Sequence, residues 1–116
     1  MKARSLIAFL FLLAFAGCQS QPPQFQFGAY SEAERCYEKK EYAKAIAKYQ
    51  EYLRENQEGN MTVIARYYMA KSHEALGQTD EARSLYEKIM KEHPKLIWAE
   101  FSKSRLQEID SKATAH

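Results

Sequence analysis

Two stretches, EYAKAIAKYQEYL (Glu41 to Leu53) and GQTDEARSLYEKIMKEHP (Gly77 to Pro94), decide how this chain folds. In the first, Tyr42, Ala45, Ile46, Tyr49, Tyr52 and Leu53 recur at helical intervals and share one face. In the second, Ala82, Leu85, Tyr86, Ile89, Met90 and His93 do the same. Sliding the chain on itself by 37 residues lays Ala45 on Ala82, Tyr49 on Tyr86 and Leu53 on Met90. The match continues outward, with Met69 on Leu106 and Ala65 on the small Ser102. Between the two stretches, Ile64, Ala65, Tyr68, Met69, Ser72 and Leu76 form another helical stripe, and nothing alternates with period two. The pattern predicts an all-α repeat of helical hairpins. Alanine lets one backbone approach another, and the aromatic one turn later fills the space beside it.

Breaks are expected at Gly59-Asn60, Gly77-Gln78 and Pro94. Thr79 ahead of Asp80 and Glu81 offers a capping hydroxyl and two acids at a helix start. Ser31 and Glu34 have capping-box spacing.

At these residues the chain resembles the tetratricopeptide repeat family. Glu41 to Leu53 is similar to the second helix of such a repeat, and Gly77 to Pro94 matches again, with Gly77 in the turn and Pro94 at the end. The family's usual period is about 34 residues, and the three extra residues fall near Glu58 to Asn60. WAEFSKSRLQEI (Trp98 to Ile109) resembles the first helix of a third repeat, cut short. The resemblance implies a short array of about two and a half hairpins over residues 28–110, followed by a disordered tail over 111–116. The last helix should act as a cap, burying Trp98, Phe101 and Ile109 while Lys103, Arg105, Glu108 and Asp110 face water.

The resemblance also places a concave groove along the first helix of each pair. Its lining would be Tyr30, Glu34 and Tyr37 from the first repeat and Tyr67, Lys71 and Glu74 from the second, extended by Ser104 and Glu108. Aromatic bodies with polar tips suit peptide recognition, because they bury area at low entropy cost and keep a hydrogen bond to offer. The same tyrosines could equally pack between helices. Family members that clamp a terminal carboxylate use Lys, Arg and Asn at groove positions where Tyr30 and Glu34 stand here, so that activity does not carry over.

Before the helices lies a basic head (Lys2, Arg4), an apolar run from Leu6 to Ala16, and small residues leading to Cys18. This layout is that of a secretory signal over residues 1–17. As a helix the run reaches roughly 16 Å against roughly 30 Å of hydrocarbon, too short to span a bilayer. Phe15-Ala16-Gly17-Cys18 resembles the lipobox of bacterial lipoproteins, with Phe15 where Leu is usual; the alternative is an ordinary cleaved signal. The resemblance implies acylation of Cys18, and Gln19 after it implies sorting to the outer membrane. Residues 18–27, with their Gln, Ser and Pro pair, read as a tether. Phe25 and Phe27 either cap the first helix or form a patch for a partner. Cys36 then lacks an intrachain partner and reads as a small buried apolar residue.

The chain of 116 residues carries a formal charge of +2; without Lys2 and Arg4 the balance is 15 against 15. That is no basic footprint for nucleic acid. The four glycines are too scattered for a phosphate loop. His73-Glu74 lacks a second His, since position 77 is Gly77, so no metal is expected. Neighbouring Ser72 and His73 diverge by about 100° on a helix and form no nucleophile and base pair. Glu32, Glu34, Glu38 and Glu41 interleave with Arg35, Lys39 and Lys40 as a solvated face does. No cofactor is expected.

The sequence therefore reads as a non-catalytic envelope lipoprotein, lipid-anchored at the periplasmic face of the outer membrane, that binds a protein or peptide partner. It resembles the helical lipoproteins of β-barrel assembly, of Tol-Pal coordination and of the pilotin type. Self-assembly through the ends of the short array, giving a homo-oligomer, is the alternative. A small-ligand receptor or enzyme would need a convergent polar set that the sequence does not offer.

Overall fold

The computed structural model describes residues 28–115, so the expected signal segment, Cys18 and the tether lie outside the described residues. Five helices follow one another among them: α1 (Gly28–Glu38), α2 (Tyr42–Glu55), α3 (Asn60–Ala75), α4 (Thr79–Glu92) and α5 (Ile97–Thr114). Each packs on its chain neighbour, and α3 also touches α1 and α5. The result is two helical hairpins and the first helix of a third, as the sequence period predicts.

The repeat reappears in burial. Ala45 and Ala82 are fully enclosed, and so are Tyr49 and Tyr86 one turn later. Ala65 and Ser102 are likewise enclosed. Buried Ser102 gives its hydroxyl proton to the Trp98 carbonyl at 2.7 Å, and Ser72 does the same to Tyr68 at 2.8 Å. With their polarity absorbed by their own helix, both serines pack as small residues. Two clusters result, one around Tyr30, Ala45, Tyr49, Tyr52 and Met69, the other around Val63, Tyr67, Ala82, Tyr86 and Ile89. Cys36 is half-buried at the edge of the first.

The central helix departs from the single stripe read in the sequence. Because α3 is covered on two sides, Val63, Tyr67 and Ala70 are buried in addition to Ala65, Met69 and Ser72. Leu76, expected on the buried face, is exposed because the helix ends at Ala75 and Leu76 is its cap residue.

The turns differ in their chemistry. Gly77 takes φ 75° in the α3 to α4 turn, a conformation that glycine adopts without a Cβ clash. The α1 to α2 turn has no glycine; Lys40 takes φ 62° there, and nothing in the sequence announced that break. Thr79 is not a cap but the first residue of α4, with Gln78 before it making no capping hydrogen bond. The Gln78 side chain instead accepts from His73 Nδ1 at 2.6 Å. Ser31 lies inside α1 rather than at its start. The lengthened junction is held by buried Thr62, whose hydroxyl is 3.0 Å from the carbonyls of both Asn56 and Glu58.

Helix α5 runs past position 110 to Thr114, where the sequence had suggested a tail. Lys112 pairs with Glu108 one turn back at 3.3 Å, and Ser111 bonds to the Glu108 carbonyl, both of which extend the helix. Ile109 is buried and Trp98 half-buried, as a cap requires, but Phe101 remains 43% exposed. Glu100, Lys103, Ser104 and Gln107 of α5 are exposed, and so is Ile97 at 58%.

The alanine crossings are tight enough to test. Ala82→Leu places three extra carbons where no space exists and is expected to cost about 1–3 kcal/mol. Urea denaturation followed through Trp98 fluorescence reads the loss.

Candidate functional site

Rings from α1, α3 and α5, with Tyr42 of α2 at one end, meet edge to face in a continuous ladder. Tyr42 and Tyr37 have centroids 5.7 Å apart, Tyr37 and Tyr68 5.1 Å, Tyr68 and Trp98 6.2 Å, and Trp98 and Phe101 5.5 Å. Such pairs contribute about 0.5–1.5 kcal/mol each beyond the area they bury. Tyr37, Tyr68 and Trp98 are half-buried and Phe101 is exposed, so the ladder presents aromatic surface to solvent.

The residues expected in the groove separate into two groups. Tyr30 is buried with its ring 6.0 Å from Tyr49 and 5.3 Å from Tyr52. Tyr67 is buried against Trp98 at 5.1 Å and Tyr86 at 5.8 Å. These two pack between helices. Tyr37, Glu34 and Lys71 border open space, Tyr37 between two cavities. Glu74 reaches the surface but is occupied by internal partners. Ser104 is exposed on the side away from these cavities, and Glu108 pairs with Arg105 and Lys112. Tyr68, Trp98, Phe101 and Arg105 belong to the surface although the sequence reading had not placed them there. Consecutive Tyr67 and Tyr68 point about 100° apart on a helix, so one lies in the core and its neighbour on the groove.

Arg105, expected on the wet side of the cap, turns inward to Glu74. Its Nε donates to Glu74 Oε2 at 3.2 Å and its Nη2 to Oε1, a two-point grip, while Tyr86 donates to Oε2 at 2.8 Å. The pair is largely screened from solvent, with side-chain exposures of 23% for Arg105 and 16% for Glu74. Burial pushes the Glu74 carboxyl up, but the hydrogen bonds from Arg105 and Tyr86 outweigh it and hold the group below the usual carboxylate range. The Glu74 carboxylate raises the Arg105 guanidinium above its ordinary value, and burial with the same carboxylate raises the Tyr86 hydroxyl. This network fastens α5 to the hairpin before it.

Beside it lies an open trough of about 740 Å³ whose wall includes Tyr37, Lys71, Glu74, Arg83, Arg105 and Lys112. Lys71 has no ion pair among the described residues, whereas Arg83 is held by Asp110 at 2.7 Å. A smaller cleft of about 240 Å³ sits between α1 and α3, lined by Glu34, Tyr37, Glu38, Tyr49 and Tyr68. Among the described residues no group of His, Cys, Asp and Glu is arranged to hold a metal ion, and no helix is long and apolar enough to cross a membrane. The arrangement offers aromatic faces and fixed charges for binding.

A family model described as tetratricopeptide repeat matches residues 64–95, which take in α3 from Ile64 onward, α4 and the turn after them. No curated protein and no solved structure matches the chain. The second hairpin thus carries a tetratricopeptide repeat, and the described residues form a short all-α array of helices consistent with it. Repeats of this kind are protein-protein interaction modules.

Glu74 titration gives a signed prediction. Its lowered pKa adds stability that is complete above its ordinary value of 4.5 and is lost as pH falls through the folded-state value below that. Glu74→Gln is expected to cost about 1–3 kcal/mol at neutral pH. Urea midpoints measured across pH should show that gap narrowing in acid.

Proposed function

We propose that this protein is a non-catalytic adaptor, tethered through acylated Cys18 to the periplasmic face of the bacterial outer membrane, that docks a segment of another envelope protein on the face formed by α1, α3 and α5. The observation that carries the docking reading is the half-exposed ladder of Tyr37, Tyr68, Trp98 and Phe101 on the first helices of an interaction repeat. Rigid rings with polar tips bind at little entropic cost and are the residue types in which interface energy concentrates. Lys71, without an ion pair among the described residues, adds a charge that a partner can meet.

The tether reading rests on Lys2, Arg4, the apolar run and the small residues before Cys18. Acyl chains contribute about 0.8 kcal/mol per buried methylene, so several hold a small domain firmly where one does not. Confinement to a thin layer raises the effective concentration of the groove for partners in the same layer. End-to-end self-assembly remains the second reading, favoured by Ile97 and Phe101, which α5 leaves 58% and 43% exposed beside Glu100 and Ser104.

Two experiments test these parts separately. Photocrosslinking residues placed at Tyr37, Lys71 and Phe101 should trap the same partner in cells, while those at Ala43 and Ser84, exposed on the second helices, should not; equal trapping from both sets rejects the groove. Cys18→Ala should move the protein from the membrane pellet to the soluble periplasm. Its persistence in the pellet rejects the anchor.

A further inference from the structure

The junction between the two hairpins, where the repeat is longer than the usual period of about 34 residues, carries Glu58-Gly59-Asn60-Met61-Thr62. An asparagine followed two positions later by serine or threonine, with no proline between, is the acceptor pattern for N-linked sugar in exported proteins. The chain has two asparagines, and only Asn60 stands in that pattern. The fold separates them as well. Asn56 is half-buried, and its Nδ2 donates to the Tyr52 carbonyl at 3.0 Å. Asn60 is exposed at the first position of α3 and forms no side-chain hydrogen bond among the described residues.

The surroundings leave room for a large substituent. Gln57, Glu58, Gly59 and Asn60 form a continuous exposed run. Gly59 takes φ 107°, and the space on its Cβ side is open, with no atom within 4 Å. One repeat later the same junction reads Lys95-Leu96-Ile97, and there Leu96 packs against the second core cluster. Gly59 holds the position of Leu96 without a side chain to pack, so the first junction keeps its length but not that anchoring contact. Asn60 belongs to the wall of neither the trough nor the smaller cleft, and a sugar on it leaves both open. Within the pattern Thr62 alone is buried, its hydroxyl 3.0 Å from the carbonyls of Asn56 and Glu58.

We propose that Asn60 carries an N-linked oligosaccharide, transferred enzymatically from a lipid pyrophosphate sugar donor as the chain is exported. The Asn60 amide nitrogen bonds to the anomeric carbon of the donor sugar as the bond from that carbon to the pyrophosphate oxygen breaks. The lipid pyrophosphate leaves with that electron pair, and a base of the transferase takes the proton that the nitrogen gives up. The threonine hydroxyl of the pattern must be within reach of the transferase, whereas the folded chain holds it against two of its own carbonyls. Transfer therefore precedes the closing of α3 onto α2, and folding then buries Thr62 while Asn60 stays in solvent. Glu58, exposed and without an ion pair among the described residues, offers the transferase an acid two residues ahead of the acceptor. The proposal rests on the export part of the adaptor reading, because donor and transferase act on chains that have crossed a membrane.

The test is mass spectrometry of the full chain isolated from its own cells after fractionation. Trypsin cuts after Arg54 and Arg66 and releases residues 55–66, which hold both asparagines. That peptide should carry the added mass of a hexose or N-acetylhexosamine chain, and electron-transfer fragmentation should place it on Asn60. Asn60→Gln should abolish the added mass and Asn56→Gln should keep it. Thr62→Val, which keeps the shape of the side chain but not the hydroxyl, should abolish it, and Thr62→Ser should restore it. Glu58→Gln should lower the occupied fraction. A bare peptide, or sugar on Asn56, overturns the proposal. If the peptide is bare in a chain that is membrane-bound and has lost residues 1–17, the sugar falls and the adaptor's export stands. If it is bare in a cytosolic chain that retains residues 1–17, both fall. Sugar on Asn60 of a chain found soluble in the periplasm keeps the acceptor and removes the lipid anchor.

Discussion

The close approach of helices at Ala33, Ala45, Ala65, Ala70 and Ala82, all without solvent exposure, is the constraint from which the rest of the structure follows. A methyl group at each crossing brings two backbones near enough for a large ring one turn away to be gripped on every side. Tyr49 and Tyr86 are those rings, and their complete burial is possible only because the neighbouring positions stay small. Ser72 and Ser102 meet the same requirement by returning their hydroxyl protons to their own helices. The size pattern fixes how the helices stack, and the stacking in turn decides which rings are left half out of the core.

The middle helix carries the greatest share of this arrangement. Helix α3 faces α4 on one side and α1, α2 and α5 on others, so its apolar surface wraps more widely than that of the helices around it. Surface ion pairs such as Lys48 with Glu32 and Arg66 with Glu92 also bridge adjacent helices, but exposed pairs contribute little, typically about 0–1 kcal/mol. The Glu74, Arg105 and Tyr86 network is of another kind. It is screened from water, each Glu74 oxygen has a donor, and it ties the lone last helix to the preceding hairpin where a full repeat would have used its second helix.

Periodicity made the hairpins legible. Alanine and tyrosine recurring at a constant offset predict the crossings, and these appear in the structure with matching burial. The turn at Lys40 was not legible, because a lysine at φ 62° carries no glycine or proline signal. Nor was the inward turn of Arg105, since a long cation at a helical position reads as solvent-facing until the carboxylate that draws it in is known to lie across the next helix. Tyr67 and Tyr68 show the limit most clearly. Both fit a helix with two buried sides, and only the packing of α5 shows that Tyr67 belongs to the core and Tyr68 to the surface. The segment before residue 28, including Cys18, stands on sequence alone.

The two hairpins, set against each other, separate what the fold requires from what it leaves free. Tyr30 and Tyr67 correspond, as do Ala33 and Ala70, and all four are buried. On the same helices Glu34 corresponds to Lys71 and Tyr37 to Glu74. The first pair reverses charge, and the second exchanges a carboxylate for a ring. Packing therefore repeats while the accessible positions diverge. A repeat whose only task was to stack could have kept one set of surface residues, since solvated positions contribute little to stability. The divergence has a structural consequence in the core itself, because the loss of a carboxylate at Tyr37 removes the acceptor that its counterpart supplies to Tyr86. The same backbone thus holds a satisfied tyrosine in one hairpin and an unsatisfied one in the other. The fold accommodates both, with the unpartnered Tyr49 hydroxyl costing about 1–3 kcal/mol that the first hairpin's packing must offset.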